Sequence, residues 1–169
     1  MTQHVMTVTV ENKPGVLARV SSMFARRGFN IHSLTVGPTE DPDLSRMTVV
    51  VDGPEMEQIV KQLYKLIHTV KVTELEPGNA IEREVMLVRI NADPKRRGEI
   101  LDAARAFDAK AVDVGSMTIT FEVAGRPDHL GDFLELMRTY GIVALAKSGR
   151  IAMAKDHKTT SRKPRLQTA

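Results

Sequence analysis

The chain has 169 residues, 42% of them hydrophobic, with no Cys and a formal charge of +3. That describes one medium or two small globular domains and excludes disulfides, thiolate catalysis and Cys-based zinc sites. No apolar run approaches the ~20 residues that span a bilayer, and Met1-Thr2-Gln3-His4 does not open a signal peptide, so the expected compartment is the cytoplasm. The charge is uneven. From Lys155 to Ala169 there are five Lys or Arg and one acid, a net +4, which leaves the body near neutral at −1. The tail reads as a solvated, disordered terminus. Aromatic residues are scarce and Trp is absent, so no stacking platform for nucleic-acid bases is visible.

Residues 4–11 alternate, with Met6, Val8 and Val10 on one face and Val5, Thr7 and Thr9 on the other, the pattern of a strand. Asn12-Lys13-Pro14-Gly15 is a turn cluster. Leu17, Val20 and Phe24 then recur at helical spacing, with Gly28 as the left-handed stop. Ile31–Val36 reads as a second strand, Gly37-Pro38 as the start of a polar loop, and Met47–Val51 as a third strand ended by Gly53-Pro54. Met56, Ile59, Val60, Leu63 and Ile67 mark a second helix, and Thr69–Leu75 a fourth strand. The order is βαββαβ.

After a linker over 77–80 the order repeats. Strands are expected at Val85–Ile90, Ala111–Val114, Met117–Val123 and Ile142–Ala146. Helices are marked by Ile100, Leu101, Ala104 and Phe107, and by Leu130, Phe133, Leu134 and Met137. The fold class is therefore α+β, two ferredoxin-like βαββαβ domains in tandem, each an antiparallel sheet with helices on one face. The expected domains are 1–76 and 81–154, followed by the tail 155–169. The helix-free sheet faces and edge strands need a partner, so association of chains is expected.

Catalytic constellations are missing. There is no phosphate-binding glycine loop, no dinucleotide fingerprint and no H-E-x-x-H. The five His are scattered, and none pairs with another at i+3 or i+4. Glu82 and Glu84, two apart on a strand start, read as a solvated face. The distinctive segment is Asn12-Lys13-Pro14-Gly15-Val16-Leu17, which ends a strand and starts a helix. The first N–H groups of that helix lack intrahelical partners and carry the positive end of its dipole, so a carboxylate could be bound there. Gly15 permits close approach, and the Asn12 amide can both donate and accept. An amino-acid zwitterion suits such a turn. A capped helix start, with Pro14 at the first helical position, explains the same residues.

The turn and the order of elements resemble the ACT domain, a small amino-acid-sensing module. Two longer stretches, Glu11–Val20 with Phe24, Arg26–Asn30 and Ile31, and Ser33–Thr48 with its Ser-Leu-Thr-Val and Leu-Ser-Arg-Met-Thr, are similar to the small regulatory subunit family of acetolactate synthase. Ile81–Leu87 opens the second domain as that family does, and the resemblance covers residues 4 to about 153. It implies a subunit that is not catalytic alone but activates a catalytic large subunit and confers feedback inhibition by valine (or leucine or isoleucine). It also implies a homodimer through the ACT domains and an effector site at the dimer interface. By motif, Asn12, Pro14, Gly15, Val16 and Leu17 form the effector turn, and Asn30 and Ile31 the facing strand start. Pro14 departs from the polar residue often found there and removes one backbone donor. Thiamine diphosphate, Mg²⁺ and FAD are implied on the catalytic partner, with no cofactor and no metal in this chain. The competing reading is a stand-alone amino-acid-responsive regulator with the tail on nucleic acid. The missing helix-turn-helix counts against it.

Overall fold

The computed structural model describes residues 3–52 and 56–156. The expected stop at Gly53-Pro54 and the basic tail from His157 onward lie outside the described residues. The first half runs β1 (Gln3–Glu11), α1 (Val16–Arg26), β2 (Asn30–Pro38), β3 (Leu44–Asp52), α2 (Met56–Leu63), β4 (Thr69–Leu75). The second runs β5 (Ala80–Asn91), α3 (Arg97–Arg105), β6 (Lys110–Val114), β7 (Thr118–Gly125), α4 (Pro127–Arg138), β8 (Ile142–Lys147), β9 (Ile151–Ala154). The sheets have orders β2-β3-β1-β4 and β6-β7-β5-β8, the same path twice, with β9 added beside β5. Every pairing is antiparallel. The fold is thus the expected α+β pair of ferredoxin-like repeats.

Period-two alternation builds each core. In the first half, Met6, Val8 and Val10 of β1 and Met47, Val49 and Val51 of β3 face Val20 and Phe24 of α1 and Ile59 and Leu63 of α2. In the second, Val88, Ile90 and Phe121 meet Ile100 of α3 and Phe133 of α4. Each such buried side chain contributes about 1.5–3 kcal/mol. Helix α1 stops in a Schellman motif: Phe29 N–H bonds Phe24 O and Gly28 N–H bonds Ala25 O, both at 3.1 Å, with Gly28 at φ 72°. The end of α3 repeats the motif with Asp108 at φ 54°, where a side chain in left-handed backbone is strained by about 1 kcal/mol.

Several expectations need correction. Gly37 and Pro38 belong to β2 and do not open the loop; residues 44–46 extend β3, so ladder pairing continues past the β-branched run. Helix α2 ends at Leu63, and Ile67, expected on its apolar stripe, is 82% exposed. Strand β5 begins at Ala80, inside the stretch read as linker, and β9 was not expected at all. Glu84 is buried and paired with Lys147 at 3.0 Å, and Glu82 is half-buried beside Arg150 at 3.2 Å, so neither stands on a solvated face.

The helix-free face of the first sheet carries Val5, Thr7 and Thr9, as expected. Cross-strand register puts Thr35, Thr48, Thr7 and Thr73 in one row on that face. Part of the face is covered from within the chain. The start of β5 and β9 form a two-stranded ribbon whose Ala80 and Ala152 pack on Val5, Val50 and Leu75. Three hydroxyls bind the ribbon's backbone. Thr35 Oγ1 donates to Arg150 O (2.8 Å), and Ser33 Oγ and Thr48 Oγ1 accept from Arg150 and Ala152 N–H (2.9 and 3.3 Å). Gly149, at φ 81°, approaches so closely that a Cβ would lie 2.9 Å from both Ser33 Oγ and Thr35 Cγ2.

Candidate functional site

Strand β1 delivers the chain to the turn at Glu11. There Asn12 N–H donates to Asp43 O (2.7 Å) and Asn12 Nδ2 to Pro42 O (3.0 Å), so the β2–β3 loop holds Asn12 in place and occupies one of its two amide donors. Val16 N–H reaches Lys13 O at 3.3 Å, and Gly15 sits at φ 82°, ψ −7°. These values belong to a type II turn with Pro14 at its second position and Gly15 at its third. Pro14 presets the turn, and the helix proper starts two residues later at Val16. Pro14 is therefore outside the helix, contrary to its expected place at the first helical position.

Arg19 N–H makes the first helical bond, to Gly15 O at 3.1 Å. Among the described residues, the N–H groups of Leu17 and Ala18 have no protein acceptor. Gly15 takes the N-cap position without a side-chain cap, and the first turn holds no acid. A Cβ at Gly15 would meet nothing within 4 Å, so the turn is open. The arrangement presents two free donors at the positive end of an 11-residue helix, a ready site for a carboxylate.

Glu11 braces the turn from below. Its Oε2 lies 2.6 Å from Lys13 Nζ and 2.9 Å from His68 Nδ1. Lys13 first, and then His68, hold the Glu11 carboxyl below its ordinary range. Glu11 N–H also bonds His68 O at 3.0 Å, tying β1 to the segment before β4. The sequence carried no signal for these partners, which lie 57 and 30 residues from the turn residues they hold.

Val16 is buried under α1 and Leu17 is 42% exposed beside the turn. Asn30 and Ile31 are elsewhere. They start β2 and pair with Asp52 and Val51, next to Gln3 and His4 at the opposite end of β1. Within one chain they lie roughly 25 Å from the turn. The structure therefore brings Asn12, Pro14, Gly15, Val16 and Leu17 together and leaves Asn30 and Ile31 at the far end of the same sheet.

Among the described residues no group of three or more His, Asp or Glu could hold a metal, and no helix is long and apolar enough to cross a membrane.

Comparison with known proteins accounts for both halves. The family described as "AHAS small subunit-like ACT domain" matches residues 6–71, and that described as "Small subunit of acetolactate synthase" matches residues 83–156. The chain is 51% identical over 158 residues to an Archaeoglobus fulgidus protein named "Probable acetolactate synthase small subunit", covering 92% of this chain and 99% of that one. It is 49% identical over 155 residues to the acetolactate synthase small subunit of Mycolicibacterium smegmatis, covering 90% and 91%. The crystal structure of the small subunit from Thermotoga maritima superposes with a TM-score of 0.83 at 38% identity, covering 92% of this chain and 98% of that one. Sequence match across both halves and shared topology agree: the chain belongs to the family of acetolactate synthase small subunits, the regulatory and non-catalytic members of that enzyme.

Proposed function

We propose that this chain binds a branched-chain amino acid, valine first among them, at the Lys13–Val16 turn and transmits its presence to a catalytic large subunit. The observation that carries the reading is the open, acid-free N-terminus of α1, with Leu17 and Ala18 N–H unengaged above a turn that only glycine shapes without strain. The effector's carboxylate binds these donors. The free oxygen of the Asn12 amide accepts from its ammonium. Its apolar side chain lies against Leu17 and, in a homodimer, against Ile31 of the second copy. Antiparallel pairing of two β2 edges about a two-fold axis sets the start of one β2 beside the end of the other. That pairing moves one copy's Asn30 and Ile31 towards the other copy's turn. The domains divide as 1–76 for sensing and 81–154 for the second module. Thiamine diphosphate, Mg²⁺ and FAD belong to the catalytic partner.

Regulation then follows from linkage. Valine binds the low-activity state of the complex more tightly and shifts the population towards it. Reconstitution tests this. Adding the chain to its catalytic subunit should raise acetolactate formation and make it valine-sensitive, while the chain alone should form none. Turnover by the isolated chain, or activation without valine sensitivity, would defeat the reading.

A further inference from the structure

Between α1 and the end of α2 runs a groove of about 390 Å³ whose walls, among the described residues, carry four cations and no acid: Arg19, Arg26, Arg27 and Lys65, with Ser22 and Gln62 between them. Among the described residues none of the four forms an ion pair. Elsewhere on the same surface cations are matched. Lys61, one turn before Lys65, pairs with Glu57 at 2.7 Å, and Lys13 with Glu11. Four like charges left together in one concavity raise the free energy of the isolated chain slightly and favour an anionic occupant.

The spacing and the number of charges say which kind. Arg19 and Arg26 are seven residues apart on α1, about 10 Å along its axis. One carboxylate or phosphate, with roughly one or two negative charges, cannot match four cations. A polypeptide segment bearing several acids can, and two of its carboxylates would meet planar guanidinium forks. The groove also connects to the effector turn. Arg19, in its wall, makes the first backbone bond of α1 to Gly15 O at 3.1 Å, so a shift of the helix start on effector binding moves the groove wall directly.

We infer that the α1–α2 groove is the docking surface for an acidic segment of the catalytic subunit. This rests on the reading that the chain regulates such a subunit. The test uses the full chain with its purified catalytic subunit, reading the dissociation constant by biolayer interferometry at several salt concentrations. Arg26→Glu/Lys65→Glu should weaken association tenfold or more. Arg26→Gln/Lys65→Gln should weaken it less and flatten its salt dependence, and serves if the reversed pair folds poorly. Lys95→Glu/Lys110→Glu, an equal charge change at exposed positions of the second half, should leave it within twofold. Valine affinity of the isolated groove variants, by calorimetry, should match wild type. Wild-type affinity in both groove variants, or an equal loss in the second-half control, would overturn the inference. So would a groove variant that loses binding to a labelled single-stranded oligonucleotide but keeps the catalytic subunit. If wild type itself failed to bind the catalytic subunit, the functional reading would fall instead.

Discussion

The two halves follow one topology, yet the starts of their first helices differ in kind. In the first half the turn ends at Gly15, the first helical turn has no acid, and two N–H groups remain unengaged. In the second half the corresponding turn carries its own anion. Asp93 Oδ1 accepts from Lys95 N–H at 2.8 Å and Asp93 O from Arg96 N–H at 2.9 Å. Glu99 stands in the first turn of α3, and the Arg97 side chain bonds Gly115 O and Ser116 O at 2.9 and 2.7 Å. Among the described residues Gly98 and Glu99 N–H of α3 also lack a protein acceptor, so what separates the two starts is charge: α3 has acids beside it and α1 has none in its first turn. Repetition of a fold thus does not repeat a site; the local side chains decide it.

The comparison breaks most visibly at Gly15. Gly15→Asp places a carboxylate against the effector's own, and like charges near 4 Å repel by roughly 1–4 kcal/mol, a loss of about one to three decades in valine affinity. Backbone strain at φ 82° accompanies any side chain there. Gly15→Asn bears the same strain without the charge, so the difference between the two variants isolates the electrostatic part. Calorimetry reads both, and equal valine affinities would exclude the carboxylate from the turn. Next in size, Gly149→Ala forces a Cβ into Ser33 and Thr35 from left-handed backbone, and should destabilise by about 1–3 kcal/mol in denaturant melts. Unchanged stability would mean the ribbon does not grip the first sheet. Asp93→Ala removes the internal anion of the second turn. It should cost about 0.5–1.5 kcal/mol of stability, the loss of one side-chain hydrogen bond, and leave valine binding untouched. The smallest effect is acidic. Because Lys13 and His68 hold the Glu11 carboxyl below its ordinary value of 4.5, the brace is intact at neutral pH and is lost as pH falls through the lowered value. The stability gap between wild type and Glu11→Gln should therefore close only below about pH 4.5, in acid-titrated melts.

Much of the first half was legible because its signals are local. Alternation in residues 4–11, the Pro-Gly turn and the Gly28 stop each act over a few positions, and the structure repeats them with small shifts at the ends. Helix α2 was overread because Ile67 keeps helical spacing beyond the point where the chain turns into β4. Strand β9 was invisible. The Ser148-Gly149 turn before it is legible, but four residues are too few to show a strand pattern, and what orders them is Thr48, Ser33 and Thr35, over 100 residues away. The turn residues of the candidate site could be read from Pro14 and Gly15. The anchoring of Asn12 by Pro42 and the Glu11–His68 brace could not, since both are contacts made only when distant segments meet.

The central claim is that valine's carboxylate meets the start of α1 and not that of α3. A ¹H–¹⁵N correlation spectrum of the full chain, followed as valine is added, tests it at the atoms concerned. The account predicts saturable shifts of the Leu17 and Ala18 amides, with Gly15 and Val16 following, while the Gly98 and Glu99 amides at the start of α3 stay in place. Saturable shifts centred on α3, with Leu17 and Ala18 unmoved, would contradict it.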